Sequence, residues 1–230
     1  MYISKASLRQ DAATNKNFWK LVKDFGDNYK IHNLVWSMFS EDPDKKRDFL
    51  FRQEESNGQP LFYIVSEKEP EDQNGLWDVE SKKYNPYLHS GQKLIFSLRA
   101  NPIVTKRDGN GKQHRHDIVM DAKTKLETEG PLKNKRPDSF EIAQREGIEW
   151  LRKKGTSNGF EICETQVIAS GYRTNRFFKP KGHHSVSIST IDFSGILTVK
   201  EPEVFLNTLY QGVGPAKSFG CGLFLVRPSK

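Results

Sequence analysis

Residues Gln211–Phe224 read Gln-Gly-Val-Gly-Pro-Ala-Lys-Ser-Phe-Gly-Cys-Gly-Leu-Phe, close to the C-terminal end of the sequence. Glycine lets a backbone adopt positive φ, approach another chain closely and offer bare N–H groups to an anion. This composition is therefore typical of a loop that contacts phosphate. The residues that give it this character are Gly212, Gly214, Gly220, Gly222, Lys217 and Ser218.

The two familiar nucleotide-binding loops do not fit this stretch. A Walker A loop requires glycine directly before the Lys-Ser pair, and Ala216 stands there. A dinucleotide fingerprint that began at Gly212 would require glycine or alanine where Lys217 stands. Only a short predicted strand, Leu223–Val226, follows the loop, so the chain cannot continue into a βαβ unit.

Charge is distributed unevenly along the 230 residues, which could form one large domain or two small ones. Up to Ser90 the chain has 13 Lys and Arg against 15 Asp and Glu; from Gly91 onward it has 23 against 14. A basic second half favours a phosphate-bearing partner, and solvated lysines without any partner are the alternative.

Cysteine usage and the N-terminal segment indicate a cytoplasmic protein. Cys163 and Cys221 have neither metal-ligand spacing nor a disulfide framework. Lys5 and Arg9 stand where a secretion signal would be apolar, and no run approaches the roughly 20 apolar residues of a membrane span. We expect no targeting segment and no membrane association.

The first half predicts a ferredoxin-like β-α-β-β-(α)-β order. The predicted elements are a strand at Tyr2–Leu8, a helix from Asp27 to Phe39, strands at Asp48–Glu54 and Leu61–Ser66 joined by an Asn57-Gly58 turn, and a strand at Trp77–Lys83. The acidic stretch Glu67–Gly75 is predicted to be a loop, and Lys82–Gly91 to link two domains.

The second half predicts the same order again. Its elements are a strand at Lys93–Arg99, a helix from Asp138-Ser139 to Gly155, strands at Glu161–Ala169 and Val186–Val199, a helix from Pro202 to Gly212, and the terminal strand. Predicted buried faces are Phe140, Ala143, Gly147, Ile148 and Leu151 on the first of these helices, and Val204, Leu206 and Leu209 on the second. The polar segment Lys123–Arg136 has no pattern, and either orders on RNA or is a flexible loop without a role.

The predicted fold class is therefore α+β, with two tandem ferredoxin-like (RRM-like) domains and antiparallel sheets. We place them at residues 1–88 and 89–230.

A basic hairpin is predicted at Gly171–His184, where cations alternate with aromatic residues and no acid interrupts them. Such a ribbon can lay cations across the phosphates of an RNA stem and read mainly its shape. The cations are Arg173, Arg176, Lys179 and Lys181. A solvated hairpin is the alternative. His114, His116, His183 and His184 lack a cysteine or acidic ligand at a matching interval, so we expect no metal site.

Two residues of the first predicted helix are candidates for acid–base chemistry. Ile31, Leu34, Val35 and Met38 form its buried stripe, while Tyr29, His32 and Trp36 fall on a neighbouring flank. Histidine titrates near neutrality without special tuning. Tyr29 lies one turn from His32 and could orient it or a phosphate oxygen. A structural histidine, satisfied by a neighbouring side chain, is the alternative.

The glycine-rich string resembles the C-terminal signature of CRISPR-associated RNA-processing proteins of the RAMP superfamily, and among them it is similar to the CasE type of type I-E systems. Further matches are Met1–Lys5, Asp27–His32, Arg47–Arg52 and Leu98–Pro102. CasE-type enzymes cut the repeat hairpin of CRISPR precursor RNA. The resemblance implies that Tyr29 and His32 are the catalytic pair and that the basic hairpin grips the repeat stem. It also implies that the protein stays on the mature guide RNA as a subunit of the surveillance complex.

These features predict a metal-independent endoribonuclease without a cofactor. RNA carries its own nucleophile, the 2′-hydroxyl, so the protein has to exchange protons and supply positive charge. The candidate cations at the phosphate are Lys30, Arg47 and Lys217, because Asn33 stands where some relatives carry a basic residue. The predicted RNA-binding set is Arg99, Arg173, Arg176, Lys179, Lys181, Lys217 and Ser218. A module that grips an RNA hairpin without cutting it is the alternative function; a metal-dependent nuclease has less support, because no acids stand at ligand spacing.

Overall fold

The structure is a computed structural model that describes residues 1–12, 18, 31, 34–39, 47–128, 136–178 and 185–229. Tyr29, Lys30, His32 and Asn33 lie outside the described residues, as do Lys179 and Lys181 of the basic hairpin. Their predicted roles therefore stay predictions.

The first sheet has four antiparallel strands, β1 (Tyr2–Leu8), β2 (Phe49–Ser56), β3 (Gln59–Ser66) and β4 (Trp77–Lys83). Their spatial order is β2-β3-β1-β4, which is the ferredoxin-like order. Asn57 and Gly58 have φ of 53° and 73°, as the tight turn between β2 and β3 requires.

The predicted helical stripe packs on one face of this sheet. Ile31 and residues 34–36 are helical. Ile31, Val35 and Met38 are buried in one cluster with Phe51 and Phe62 of the sheet. The prediction of a helix whose apolar stripe covers the sheet is confirmed for the residues that the structure describes.

The second half contains, in chain order, β5 (Lys93–Ala100), β6 (Ile103–Arg107), β7 (Gln113–Asp117), α1 (Ile118–Thr128), α2 (Ser139–Ser157), β8 (Phe160–Phe178), β9 (Ser185–Val199), α3 (Pro202–Gln211) and β10 (Phe224–Pro228). Four of these strands form the second sheet, in the order β10-β5-β9-β8. This is again the ferredoxin-like order, so the predicted fold class is confirmed.

Helix α1 was not predicted, and part of it occupies the segment expected to lack structure. The buried residues Ile118, Val119 and Ala122 precede that segment, and they anchor the helix. Asp117 Oδ1 accepts a hydrogen bond of 2.7 Å from the Met120 N–H, as an N-terminal cap does. The prediction of an unstructured segment is therefore wrong for residues 123–128, whereas residues 129–135 lie outside the description.

Two helices present different faces from those predicted. In α2, Phe140 is 59% exposed, and Ile142 and Trp150 are buried with the rest of the predicted face. Gly155 does not end α2, because the helix continues to Ser157. Glycine is required at this position for close packing, since a Cβ there would lie 2.5 Å from the Phe160 carbonyl oxygen of β8.

In α3 the buried residues are Phe205, Thr208 and Leu209, so the prediction is confirmed for Leu209. It is wrong for Val204, which is exposed, and for Leu206, which is only partly buried.

The two sheets meet through apolar contacts. Leu50 and Val65 of the first sheet are buried against Leu223, beside Ile3 and Leu225. Residues 84–92 connect β4 to β5 without helix or strand, and the domain division at residue 88 stays a prediction. Within the described ranges, no helix is long and apolar enough to cross a membrane.

Candidate nucleic-acid interface

The glycine-rich loop connects α3 to β10 and closes on itself at the seam between the sheets. Gly212, Gly214, Gly220 and Gly222 have φ of 71°, 75°, 77° and 93°, all in the left-handed region. The Val213 N–H donates to the Gly222 carbonyl at 2.9 Å, and the Gly222 N–H donates to the carbonyl of Arg99 in β5 at 2.7 Å.

Close backbone packing explains at least two of these glycines. A Cβ at Gly222 would lie 2.7 Å from the Val213 carbonyl oxygen, and one at Gly212 would lie 2.8 Å from that of Gly222. Real Cβ atoms do not approach so closely, so a side chain would force the loop open. The predicted positive φ is confirmed, whereas phosphate contact remains a prediction.

Two cations meet where this loop faces the first sheet. Lys217–Phe219 form a single 3-10 turn, and Arg47, just before β2, donates from Nη1 to the Ser218 hydroxyl at 3.0 Å. Burial lowers the pKa of the Arg47 guanidinium. Burial, followed by repulsion from Arg47, lowers the pKa of the Lys217 ammonium.

This cationic pair forms no ion pair with an acid in the described part of the chain, and the carboxylates of Asp48 and Glu67 line the same cavity. No carboxylate of those residues lies within 4.0 Å of the Arg47 or Lys217 nitrogens. Half-buried like charges without an ion-pair partner disfavour each other, and a bound phosphate would relieve that cost. The structure thus brings together Arg47 and Lys217, two of the three candidate cations. Ser218, which was predicted to bind RNA, lies next to both.

Arg47 and Lys217 line a cavity of about 460 Å³. A separate cleft of about 470 Å³ lies further along the same loop. Phe219 and Gly220 of the glycine-rich loop form one wall, and Arg173 and Asn175 of β8 form another. Ile31, which directly precedes His32 in the chain, also lines the cleft. The remaining lining residues are Phe51, Gln53, Glu54, Glu55, Arg99 and Thr190.

Arg99, predicted to bind RNA, uses most of its donors within the protein. Its Nε and Nη2 donate to Asp192 at 2.6 and 3.1 Å, and its Nη1 donates to the Gln53 carbonyl at 2.8 Å. The side chain therefore connects β5 to both β9 and β2, which belong to different sheets. Contact between Arg99 and RNA remains a prediction.

Asp192 also accepts a hydrogen bond of 3.0 Å from Arg173 Nη2, so one carboxylate orients two arginines of the predicted RNA-binding set. Asp192 was missed by the sequence analysis. The signal that could have identified it is its position as the only acid in β9.

The basic hairpin is a two-stranded ribbon formed by the distal parts of β8 and β9. Arg173 pairs with Thr190, Arg176 with Ser187 and Phe178 with Ser185. Alternate residues of a strand point to opposite faces. Accordingly, Arg173 lines the cleft beside the glycine-rich loop, whereas Arg176 lines a second cavity.

Comparison with known proteins identifies the family. A family model described as "CRISPR associated protein" matches residues 1–228. The chain belongs to this family.

Named relatives place it near the CasE type. The CRISPR system Cascade subunit CasE of Escherichia coli strain K12 is 30% identical over 204 residues, covering 88% of this chain and 92% of the relative. The CRISPR-associated endoribonuclease Cse3 of Thermus thermophilus is 27% identical over 222 residues, covering 90% and 92%. A structure of the CRISPR endoribonuclease Cse3 bound to a 19-nucleotide RNA has a TM-score of 0.69 at 26% identity, covering 99% and 100% of the two chains. The CasE resemblance drawn from the sequence is confirmed.

Proposed function

We propose that this CasE-type protein is a metal-independent endoribonuclease that binds and cleaves the repeat stem-loop of CRISPR precursor RNA. It then stays on the mature guide RNA as a subunit of a surveillance complex, in the cytoplasm. Support comes from relatives named as an endoribonuclease and as a Cascade subunit, and from a relative with bound RNA.

The observation that carries the proposal is the cationic pair Arg47 and Lys217. Lys217 lies two residues before Phe219, which lines the same cleft as Ile31. Arg47 and Lys217 line a neighbouring cavity, so both faces of the glycine-rich loop offer room for RNA. We propose residues 1–88 as the domain with the catalytic helix, and residues 89–230 as the domain with the hairpin and glycine-rich loop.

The reaction begins with attack of the RNA 2′-oxygen on the adjacent phosphorus, and the bond from phosphorus to the 5′-oxygen breaks. The 2′-hydroxyl loses a proton and the leaving 5′-oxygen gains one; His32 exchanges protons with these groups and Tyr29 positions His32 or the phosphate. A positioned acid or base contributes about 100- to 10,000-fold. Arg47 and Lys217 stabilise the charge that develops on the phosphate oxygens. The products are a 2′,3′-cyclic phosphate and a 5′-hydroxyl.

Cleavage of an end-labelled RNA stem-loop in excess chelator, under single-turnover conditions, tests the proposal. Wild type should cut, and His32→Ala should bind without cutting. His89→Ala is the matched control, because His89 is exposed in the segment that connects the sheets.

Three results would contradict the proposal in different ways. Tight binding of the matching hairpin without cutting by wild type would favour the non-catalytic RNA-binding module. Cutting that stops with the chelator would show that a metal takes part. Unchanged cutting by His32→Ala would remove His32 from the reaction.

A further inference from the structure

A second cavity, of about 730 Å³, lies on the face of the ribbon opposite the cleft. It is bounded by the β6–β7 hairpin on one side and by the β8–β9 ribbon on the other. Pro215 and Ala216 of the glycine-rich loop form part of its wall, and Ala216 directly precedes Lys217. The glycine-rich loop thus borders both this cavity and the proposed phosphate site, and the cleavage mechanism leaves this cavity unused.

Positive charge and hydroxyl groups line this cavity, together with the Asn101 amide and one carboxylate, that of Asp117, whose Oδ1 accepts hydrogen bonds from the Met120 N–H and the Tyr172 hydroxyl. Arg115 of β7 and Arg176 of β8 contribute exposed guanidinium groups. Neither has a hydrogen-bond or salt-bridge partner among the residues described, whereas Arg173 on the opposite face is paired. Thr174 and Ser189 add hydroxyls to the ribbon wall. Unpaired guanidinium groups bind phosphate in a forked geometry.

Another part of the wall is apolar. This part contains Ile103, Ile188, Pro215 and Met120. Met120 is 52% exposed. An exposed methionine at a cavity wall can adapt to the flat face of an aromatic ring. A duplex stem offers mainly phosphates and sugars to a protein, so it would leave an apolar wall unused. An unpaired nucleotide offers both a phosphate and an apolar face.

We propose that this cavity binds an unpaired RNA nucleotide that flanks the paired stem. The base packs against Met120, Ile188 and Pro215, and its phosphate lies between Arg115 and Arg176. The volume falls within the range of about 300–1,000 Å³ that small-ligand sites have. This inference rests on the proposed function, because it assumes that a stem-loop occupies the opposite face of the ribbon.

Equilibrium binding of three RNA hairpins tests the inference. Each carries a 2′-deoxy nucleotide at the cut position, so that it is not cleaved; one ends at the stem, one has a short 5′ flank and one a short 3′ flank. Wild type should bind one flanked hairpin about three- to 30-fold more tightly than the blunt one, as expected for one base and one phosphate contact.

Arg115→Ala is the main variant, because Arg115 lies outside the ribbon that was predicted to hold the stem. It should remove most of the gain from the flank and reduce the salt slope by about 0.7 for the flanked RNA only. Arg107→Ala is the matched control: Arg107 is exposed on the same hairpin and does not line the cavity. It should keep the gain.

A photo-crosslink provides a measurement that needs no variant. With 4-thiouridine at the flanking position, the crosslinked peptide should contain Met120 or Pro215. Equal weakening of blunt and flanked binding by Arg115→Ala, or no gain from either flank, would overturn the inference. The inference would also be overturned if free UMP or AMP removed the gain from the flank at the same concentration for wild type and Arg115→Ala, because the cavity would then not be the site of that gain.

The same assay separates the two proposals. Wild type that binds and cuts the hairpin but gains nothing from a flank refutes only the nucleotide cavity. Wild type that binds no hairpin of the matching repeat refutes the proposed function as well.

Discussion

The Arg47 guanidinium donates a hydrogen bond of 3.0 Å to the Ser218 hydroxyl, across 171 positions of the chain. Arg47 precedes β2, and this bond holds its guanidinium against the loop that follows α3, next to Lys217. Because the two cations come from different halves of the chain, their separation depends on how the two sheets pack.

We expect Arg47→Ala to slow single-turnover cleavage by about ten- to 100-fold. Removing one preorganised donor from a reacting oxyanion costs about 100- to 1,000-fold, and the nearby Lys217 should compensate in part. Arg47→Lys should cleave at an intermediate rate, because lysine keeps the positive charge but lacks the paired N–H donors of a guanidinium. Arg107→Ala is the control for loss of an exposed arginine. An unchanged rate with saturating protein would remove Arg47 from the reaction.

Lys217→Met should slow cleavage without lowering stability at neutral pH. The lowered pKa of Lys217 means that its charged form is disfavoured in the folded state. That cost is fully present below the folded-state pKa, and it disappears as pH rises through the folded pKa towards the ordinary value of 10.5.

The stability of wild type relative to Lys217→Met should therefore increase with pH in that window. Urea unfolding of both proteins at several pH values measures the difference, and Lys93→Met, at an exposed position, controls for loss of a charge. A difference that falls with rising pH would contradict the assignment.

Asp192→Asn should lower the free energy of unfolding by about 1–3 kcal/mol. Side-chain exposure is 20% for Arg99 and 26% for Asp192, so the pair lies between exposed pairs, worth at most about 1 kcal/mol, and buried ones, worth about 3–5. Glu161→Gln is the control, because its pair with Lys200 is more than half exposed on both sides. Equal losses in the two variants, measured by urea unfolding, would show that Asp192 does not hold the two arginines in place.

Local patterns were sufficient to predict most strands. Alternation located Tyr2–Leu8 with the bounds that the structure has, and the Asn57-Gly58 turn fixed the β2–β3 hairpin. Trp77–Lys83 was also predicted with its observed bounds. Alternation succeeds because one face of each strand is buried, so a shift by one residue would expose the apolar set.

Helix faces and long-range contacts were harder to predict. Phe140 fits an apolar stripe by spacing, yet the side of α2 that packs on the sheet contains Ile142 and Trp150. The bonds from Arg47 to Ser218 and from Arg99 to Asp192 join distant positions, and no local pattern contains that information. Packing between elements decides both cases.

Gly222→Ala should destabilise the protein by about 3–5 kcal/mol, whereas Gly111→Ala should cost about 1 kcal/mol. Both glycines have positive φ, 93° and 78°, so alanine is strained at either position. The two positions differ in the room that they leave for a side chain. A Cβ at Gly111 has no atom within 4 Å, whereas one at Gly222 would lie 2.7 Å from the Val213 carbonyl oxygen. Moving that carbonyl would also disturb the bond from the Gly222 N–H to the Arg99 carbonyl, so the seam between the sheets should loosen. Urea unfolding of the two variants measures the contrast. If Gly222→Ala unfolds like Gly111→Ala but binds RNA poorly, the glycine is required for phosphate contact and close packing is not its main role.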